Sequence, residues 1–125
     1  MIVYLDTHVV IWVYEGDGQK MSPLASRTLD DSELLVSPAV VLELELLHEI
    51  GRIEIPAEKM IATLESQIDL RVCSLAFRDV ATQALKESWT RDPFDRLIAA
   101  NAKAAGAPLV TKDERIRKHY RRAIW

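Results

Sequence analysis

Four acidic residues stand where a chain of strands and helices would present them to a bound group: Asp6, Glu43, Asp95 and Asp113. Asp6 directly follows the apolar run Met1–Leu5 (MIVYL), and Asp113 follows Leu109–Thr111 and Lys112. Asp95 falls in the first turn of a helix opened by Asp92-Pro93, and Glu43 inside a helix opened by Ser37-Pro38. Carboxylates gathered within several ångströms repel, so such a group stays ionised only around a cation. Oxygen-only ligation, without a histidine or cysteine cluster, suits a hard ion such as magnesium (Mg²⁺) or manganese (Mn²⁺) rather than zinc. The chemistry open to that set is metal-assisted hydrolysis of a phosphate ester.

Each acid also has an ordinary structural account. Asp6, Asp92 and Asp113 precede helices and can cap them, and Asp95 can be the acid that complements a helix start. Glu43 is harder to explain in that way. With a step of about 100° per residue, Leu46, Ile50, Leu47, Val40 and Leu44 fill one arc of the helix, and Glu43 falls inside it. Glu45 and Glu49 fall on the opposite side, where solvent is expected. A carboxylate in an apolar face is costly unless compensated. Arg52 or Arg96 is one available partner, and a shared metal ion is the other account. Asp95 lies on the same side of its helix as Ile98 and Ala102, while Arg96 and Lys103 point the other way, which turns Asp95 inward.

The elements that must position these groups alternate between strand and helix. The spacing predicts strands at Met1–Leu5, Glu33–Val36, Leu70–Ser74, Leu109–Thr111 and Ala123–Trp125. Helices are expected at His8–Tyr14, from Ser22-Pro23 to Leu29, and from Pro38 to Ile50 with Gly51 as the stop. Others are expected from Pro56 to Gln67, over Ala76–Lys86, from Asp92-Pro93 to Gly106, and over Glu114–Tyr120. Uniformly apolar strands separated by helices predict an α/β fold, a three-layer α/β/α sandwich around a central, mainly parallel sheet. In such sheets the reactive groups gather at the carboxyl ends of the strands, where Asp6 and Asp113 stand. With 125 residues and no repeat, linker or low-complexity stretch, the chain reads as one domain spanning 1–125.

Composition narrows the class further. A hydrophobic share of 49 % and a charged share of 28 % are those of a globular protein. The apolar N-terminal stretch is cut by Asp6 and preceded by no basic residue, so no signal peptide is expected. Its longest apolar run, Val9–Tyr14, is far too short for a bilayer, so no membrane partner is expected either. A single cysteine, Cys73, in a strand-like segment reads as a small buried hydrophobe and suits a cytoplasmic setting. The formal charge of −3 hides an asymmetry, because residues 111–125 carry six basic side chains against two acidic ones. Arg115, Arg117, Lys118, Arg121 and Arg122 are therefore candidates to hold phosphates, although a solvated helix face would look the same. The histidines His8, His48 and His119 lack metal-ligand spacing. No Gly-rich phosphate loop and no Ser/His/Asp arrangement is present.

Taken in order, LDTHVVIW (5–12), SPAVVLELELLHEIGRI (37–53), DPFDRLIAANA (92–102) and LVTKDERI (109–116) resemble the PIN-domain nucleases. The likeness runs nearly end to end and is greatest to the short VapC-like toxins of bacterial toxin–antitoxin systems. Carried over by position, the resemblance puts the family's acids on Asp6, Glu43, Asp95 and Asp113, as catalytic and metal-holding residues. It places Thr7 and Thr111 as hydroxyls lining the pocket, with Asp92 able to support or replace Asp95. His8 departs from the small polar residue common there, which leaves its role open. The resemblance implies cleavage of RNA, a Mg²⁺ or Mn²⁺ cofactor, inhibition by a small antitoxin protein, and a homodimer. An antitoxin helix could dock on Trp12, Leu24, Leu29 and the helix from Pro56, which could equally be core or dimer residues. Two other classes remain open: a silent RNA- or protein-binding module on the same fold, and a different Mg²⁺ enzyme such as a phosphatase. The second is disfavoured by Asp-Thr-His at the end of the first strand, where paired acids would be expected.

Overall fold

A computed structural model describes residues 1–125. Its elements are β1 (Ile2–Leu5), α1 (Thr7–Glu15), a 3₁₀ turn (Gly18–Lys20), α2 (Pro23–Asp30), β2 (Glu33–Val36), α3 (Pro38–Glu49) and α4 (Ala57–Ile68). There follow β3 (Arg71–Val72), α5 (Phe77–Ala84), α6 (Pro93–Ala104), β4 (Leu109–Val110), α7 (Glu114–His119) and β5 (Ala123–Ile124). The strands form one sheet in the order β3-β2-β1-β4-β5, and every neighbouring pair is parallel. The chain builds outward from β1 in one direction and then returns to build outward in the other. Right-handed crossovers send those two sets of connections to opposite faces of the sheet. The expected α/β/α sandwich is the fold observed.

The central strands are apolar along their length because the sheet is covered on both faces. Val3, Leu5, Val36, Leu109 and Val110 are almost fully buried. They join Val9, Val10, Val40, Leu44, Met60, Leu64, Ile98 and Ile116 in one core of 24 buried residues. The helix punctuation expected from Ser-Pro and Asp-Pro pairs is realised. Ser22, Ser37 and Asp92 each accept backbone N–H bonds at the starts of α2, α3 and α6, with proline in the first turn. Gly16 closes α1 in the left-handed conformation (φ 69°) that a side chain would strain.

Two expectations need correction. The edge strands are shorter than expected: β3 is only Arg71–Val72, and the expected helix over Ala76–Lys86 contracts to Phe77–Ala84. The arc of α3 taken to face the core is only partly covered. Val40 and Leu44 are buried, but Leu46 and Ile50 are 39 % and 68 % exposed, and so is Leu42 at 56 %. Glu45, expected in solvent, is half-buried and accepts the Ala57 N–H at the start of α4. The distal half of α3 therefore packs on α4 rather than on a complete layer, and periodicity alone cannot tell which neighbour an apolar face will meet.

Candidate active site

The sheet order reverses between β1 and β4, and a crevice opens there at the carboxyl ends of the two strands. Leu5 pairs with Val110, so the next residues along the register, Asp6 and Thr111, come side by side. Asp6 Oδ2 accepts the Thr111 hydroxyl at 2.6 Å, and Oδ1 accepts the Thr7 backbone N–H at 2.8 Å. Thr111 Oγ1 in turn accepts the Asp113 N–H at 3.0 Å. One hydroxyl thus fixes two of the acids. Thr7, the first residue of α1, donates its hydroxyl to Glu43 Oε1 and so ties α3 to the end of β1.

Asp6, Glu43, Asp92, Asp95 and Asp113 all line a single cleft of about 490 Å³ together with His8, Val9, Trp12 and Lys112. Every acid singled out in the sequence is in it. Three of them also cap helices as their ordinary account required: Asp6 begins α1, Asp92 begins α6, and Asp113 begins α7 through a 2.9 Å bond from the Ile116 N–H. The structural and the chemical accounts hold together, because parallel strands deliver helix starts to the same edge as the reactive groups. The arginine account of Glu43 does not hold. Arg96 donates instead to the carbonyls of Ala84, Leu85 and Thr90, and the chain's two ion pairs, Lys20–Asp17 and Lys103–Glu87, lie elsewhere.

The electrostatics are those of a carboxylate group short of positive charge. Burial pushes the Asp95 carboxyl up from 3.8 to about 7, with the neighbouring Asp92, Asp6, Asp113 and Glu43 adding to the rise. Burial also raises Asp6 and Glu43, against the lowering effect of their threonine hydrogen bonds. No three of the chain's His, Cys, Asp and Glu side chains already stand as a ready-made cation cage. The acids surround the cleft rather than close on one point. Their chemistry nonetheless fits a hard cation: all donors are oxygen, and Asp95 has no side-chain hydrogen bond or ion pair of its own.

Thr7 and Thr111, expected to line the pocket, are fully buried beneath the acids and act as their supports. Arg115, Arg117, Lys118, Arg121 and Arg122, the five candidates for holding phosphates, are exposed, and none lines the cleft. Arg121 and Arg122 instead flank a separate concavity with Lys103, His119 and Tyr120, and Arg122 donates to the Gly106 carbonyl. That carbonyl lies beyond the C-terminus of α6, the end away from Asp95. Sequence reading passed over Lys112 and Trp12 as cleft residues. Lys112 follows β4 directly, so the strand-end rule could have found it, and Trp12 lies one turn beyond His8 on α1.

Two apolar grooves lie outside the cleft. The larger, about 940 Å³ between α3 and α4, has Glu45, Glu58 and Glu65 among its apolar lining. The other, about 480 Å³, contains Trp12 and Leu29, which belong to the expected antitoxin surface, with Ile68 at the end of α4; Leu24 does not line it. Cys73 is buried as expected, but its sulfur is no mere hydrophobe. It accepts the Tyr4 hydroxyl at 2.8 Å and the Asn101 amide at 3.3 Å. Glu87, unmarked by any sequence pattern, is 2 % exposed and accepts from Lys103 (2.6 Å), Trp89 (2.8 Å) and Gln83 (2.9 Å). No helix is long and apolar enough to cross a membrane.

A family model for the PIN domain matches residues 3–122. The chain is 37 % identical over 121 residues to Ribonuclease VapC22 of Mycobacterium tuberculosis, covering 94 % of this chain and 91 % of that one. Its fold is similar to that in VapBC2 of Rickettsia felis bound to a promoter DNA fragment, with a TM-score of 0.65 and 17 % identity. That match covers 94 % of this chain and 92 % of that one. It is also similar to VapBC-1 of nontypeable Haemophilus influenzae, with a TM-score of 0.64, 20 % identity and 94 % of each chain covered. At those identities the likeness to solved structures concerns the fold.

Proposed function

The chain belongs to the PIN-domain family, and on that premise we propose that it is a metal-dependent endoribonuclease, the toxin of a toxin–antitoxin pair. The observation that carries this reading is the convergence of Asp6, Glu43, Asp95 and Asp113 on one cleft, where none of these carboxylates is held in an ion pair. The 37 % identity to a ribonuclease over nearly the whole chain supports the same activity. Asp6, Asp95 and Asp113 would hold Mg²⁺ or Mn²⁺, with Asp92 in support. A divalent cation there would neutralise charge on the scissile phosphate and acidify a water beside it.

The chain's own residues divide the remaining work. Glu43 has Oε1 committed to Thr7, which leaves Oε2 to orient a water and take its proton. Its raised proton affinity suits a base better than an ordinary surface carboxylate would. The water oxygen bonds to phosphorus as the opposite P–O bond breaks, and the leaving oxygen departs in line. Lys112, exposed at the cleft, supplies positive charge to the incoming phosphate, and His8 beside it offers a ring N–H. Arg115, Arg117 and Lys118 on α7 extend that field toward flanking phosphates, with Arg121 and Arg122 reached only by a longer RNA. A small antitoxin protein and a second copy of the chain are the partners this reading calls for, in a cytoplasmic setting.

The test is cleavage of total RNA by the purified protein with Mg²⁺ or Mn²⁺, with EDTA, and by Asp6→Asn. Metal-dependent cutting that disappears in the variant is expected. Cutting by Asp6→Asn equal to the parent's, or cutting undiminished by EDTA, would refute it.

A further inference from the structure

One margin of the acid cleft is aromatic and cationic. His8 and Trp12 stand one helical turn apart on α1 and both line it, with ring centroids 6.1 Å apart. Trp12 leans on Trp125, just after β5, at 5.8 Å with the ring planes inclined by 57°. The ammonium of Lys112 lies 6.0 Å from the Trp12 ring centroid. Trp12 is half-buried, whereas Lys112 is exposed and has no hydrogen-bond partner or ion pair. The large ring thus packs on the main core and leans on Trp125, and at the cleft it is met by His8 and a flexible, solvated ammonium. On its cleft side the ring is open to a planar partner, since an ammonium on a long stem moves aside at little cost.

The geometry points to Trp12 as a stacking platform for an unpaired nucleobase next to the phosphate that the acids engage, with Trp125 as its brace. The inference rests on the ribonuclease reading and adds to it the form of the substrate. Ring and carboxylates border the same cleft, so a phosphate among the acids brings an adjoining base to the ring. In a duplex each base face is covered by its neighbours, whereas an unpaired base can swing out and stack on an aromatic side chain. Such stacking is tolerant of sequence because every base has a π face. Lys112 then moves from ring to phosphate, and selectivity falls on unpaired segments rather than on one base.

The experiment uses Trp89→Phe protein, since Trp89 stacks on His119 away from the cleft and would only add background. Fluorescence is followed with Mg²⁺ in protein that also carries Glu43→Gln, so that a cation can sit among the acids while no strand is cut, with oligoadenylate alone and paired to oligouridylate. Expected are quenching and tighter binding by the single strand. Trp12→Leu should weaken that binding roughly tenfold, and Trp12→Phe by less than about threefold. In cleavage, Trp12→Leu should raise KM more than it lowers kcat. Should Trp12→Leu fail to fold, protein carrying Trp89→Phe and Trp125→Phe has Trp12 as its one tryptophan and reports stacking directly. No quenching in that protein, or equal binding by parent and folded Trp12→Leu, overturns the platform. Quenching by an arginine-rich peptide but not by RNA also overturns it and assigns the ring to a protein partner. RNA cleaved normally by Trp12→Leu removes the platform and leaves the nuclease standing; no binding or cleavage of any RNA removes both.

Discussion

Asp95→Asn should stabilise the metal-free protein at neutral and alkaline pH while crippling it as an enzyme. In the fold the Asp95 carboxyl holds its proton up to about pH 7, against an ordinary value of 3.8. A group with a raised folded pKa contributes its stability in full below the unfolded value, and that contribution is lost as pH rises through the folded one. Across that window the folded chain must come to carry a half-buried charge facing Asp92, Asp6, Asp113 and Glu43. The full shift would correspond to ~4 kcal/mol, and because Asp95 is only half-buried, solvent screening reduces it to ~1–2 kcal/mol. Asparagine avoids the charge but gives up a favourable acid at a helix start, worth ~0.3–1 kcal/mol. The assay is urea denaturation followed by circular dichroism in EDTA, for parent and variant, from pH 4 to pH 8. The variant's relative stability should climb by ~1 kcal/mol or more between those limits. Adding Mg²⁺ at pH 8 should stabilise the parent much more than the variant, because only the intact acid set binds the ion well. Parallel pH profiles for the two proteins in EDTA, or a variant less stable than the parent at pH 8, would refute the account of Asp95.

Thr111→Val removes the hydroxyl that binds Asp6 and receives the Asp113 N–H; cleavage should fall roughly tenfold to a hundredfold, mainly in kcat under steady-state kinetics. Its cost to stability should be ~1–3 kcal/mol, read from the same denaturation curves. Glu87→Gln leaves Lys103 without its charge partner and should cost ~2–3 kcal/mol, with cleavage per folded molecule unchanged. Burial would raise the Glu87 pKa, but hydrogen bonds from Lys103, Trp89 and Gln83 outweigh it and hold the carboxyl below its usual range. The parent's advantage over Glu87→Gln should therefore be present above pH 4.5 and shrink on acidification.

Much of the site was legible because its acids sit at positions set by local rules. Asp6 and Asp113 follow apolar strands, Asp92 and Asp95 follow an Asp-Pro helix opening, and Glu43 interrupts an apolar arc. What could not be read was which groups would meet across the fold. The bond between Thr111 and Asp6 joins residues 105 positions apart and depends on the register of β1 against β4. The Arg96 side chain found backbone carbonyls rather than Glu43, and Glu87 found Lys103 from a loop without periodicity. The exposed ridge Leu42, Leu46 and Ile50 shows the same limit: an amphipathic pattern announces a buried face without saying what will bury it. Arg121 and Arg122 lie in a basic run that reads as continuous, yet the turn after α7 carries them away from the cleft.

That Asp6, Asp92 and Asp113 are helix caps as well as cleft acids limits how a chain of this fold can lose its chemistry. Alanine at any of the three would discard the reacting carboxylate and also expose a helix start, at ~1 kcal/mol each. Asparagine, serine and threonine cap nearly as well and carry no charge. A lineage drifting from nuclease to silent binding module should therefore leave a trail of Asn, Ser and Thr at these three positions. Asp95 and Glu43, whose side chains cap nothing, are freer to become hydrophobic. Inactive descendants would then be recognisable by polar residues that still begin helices around an emptied cleft.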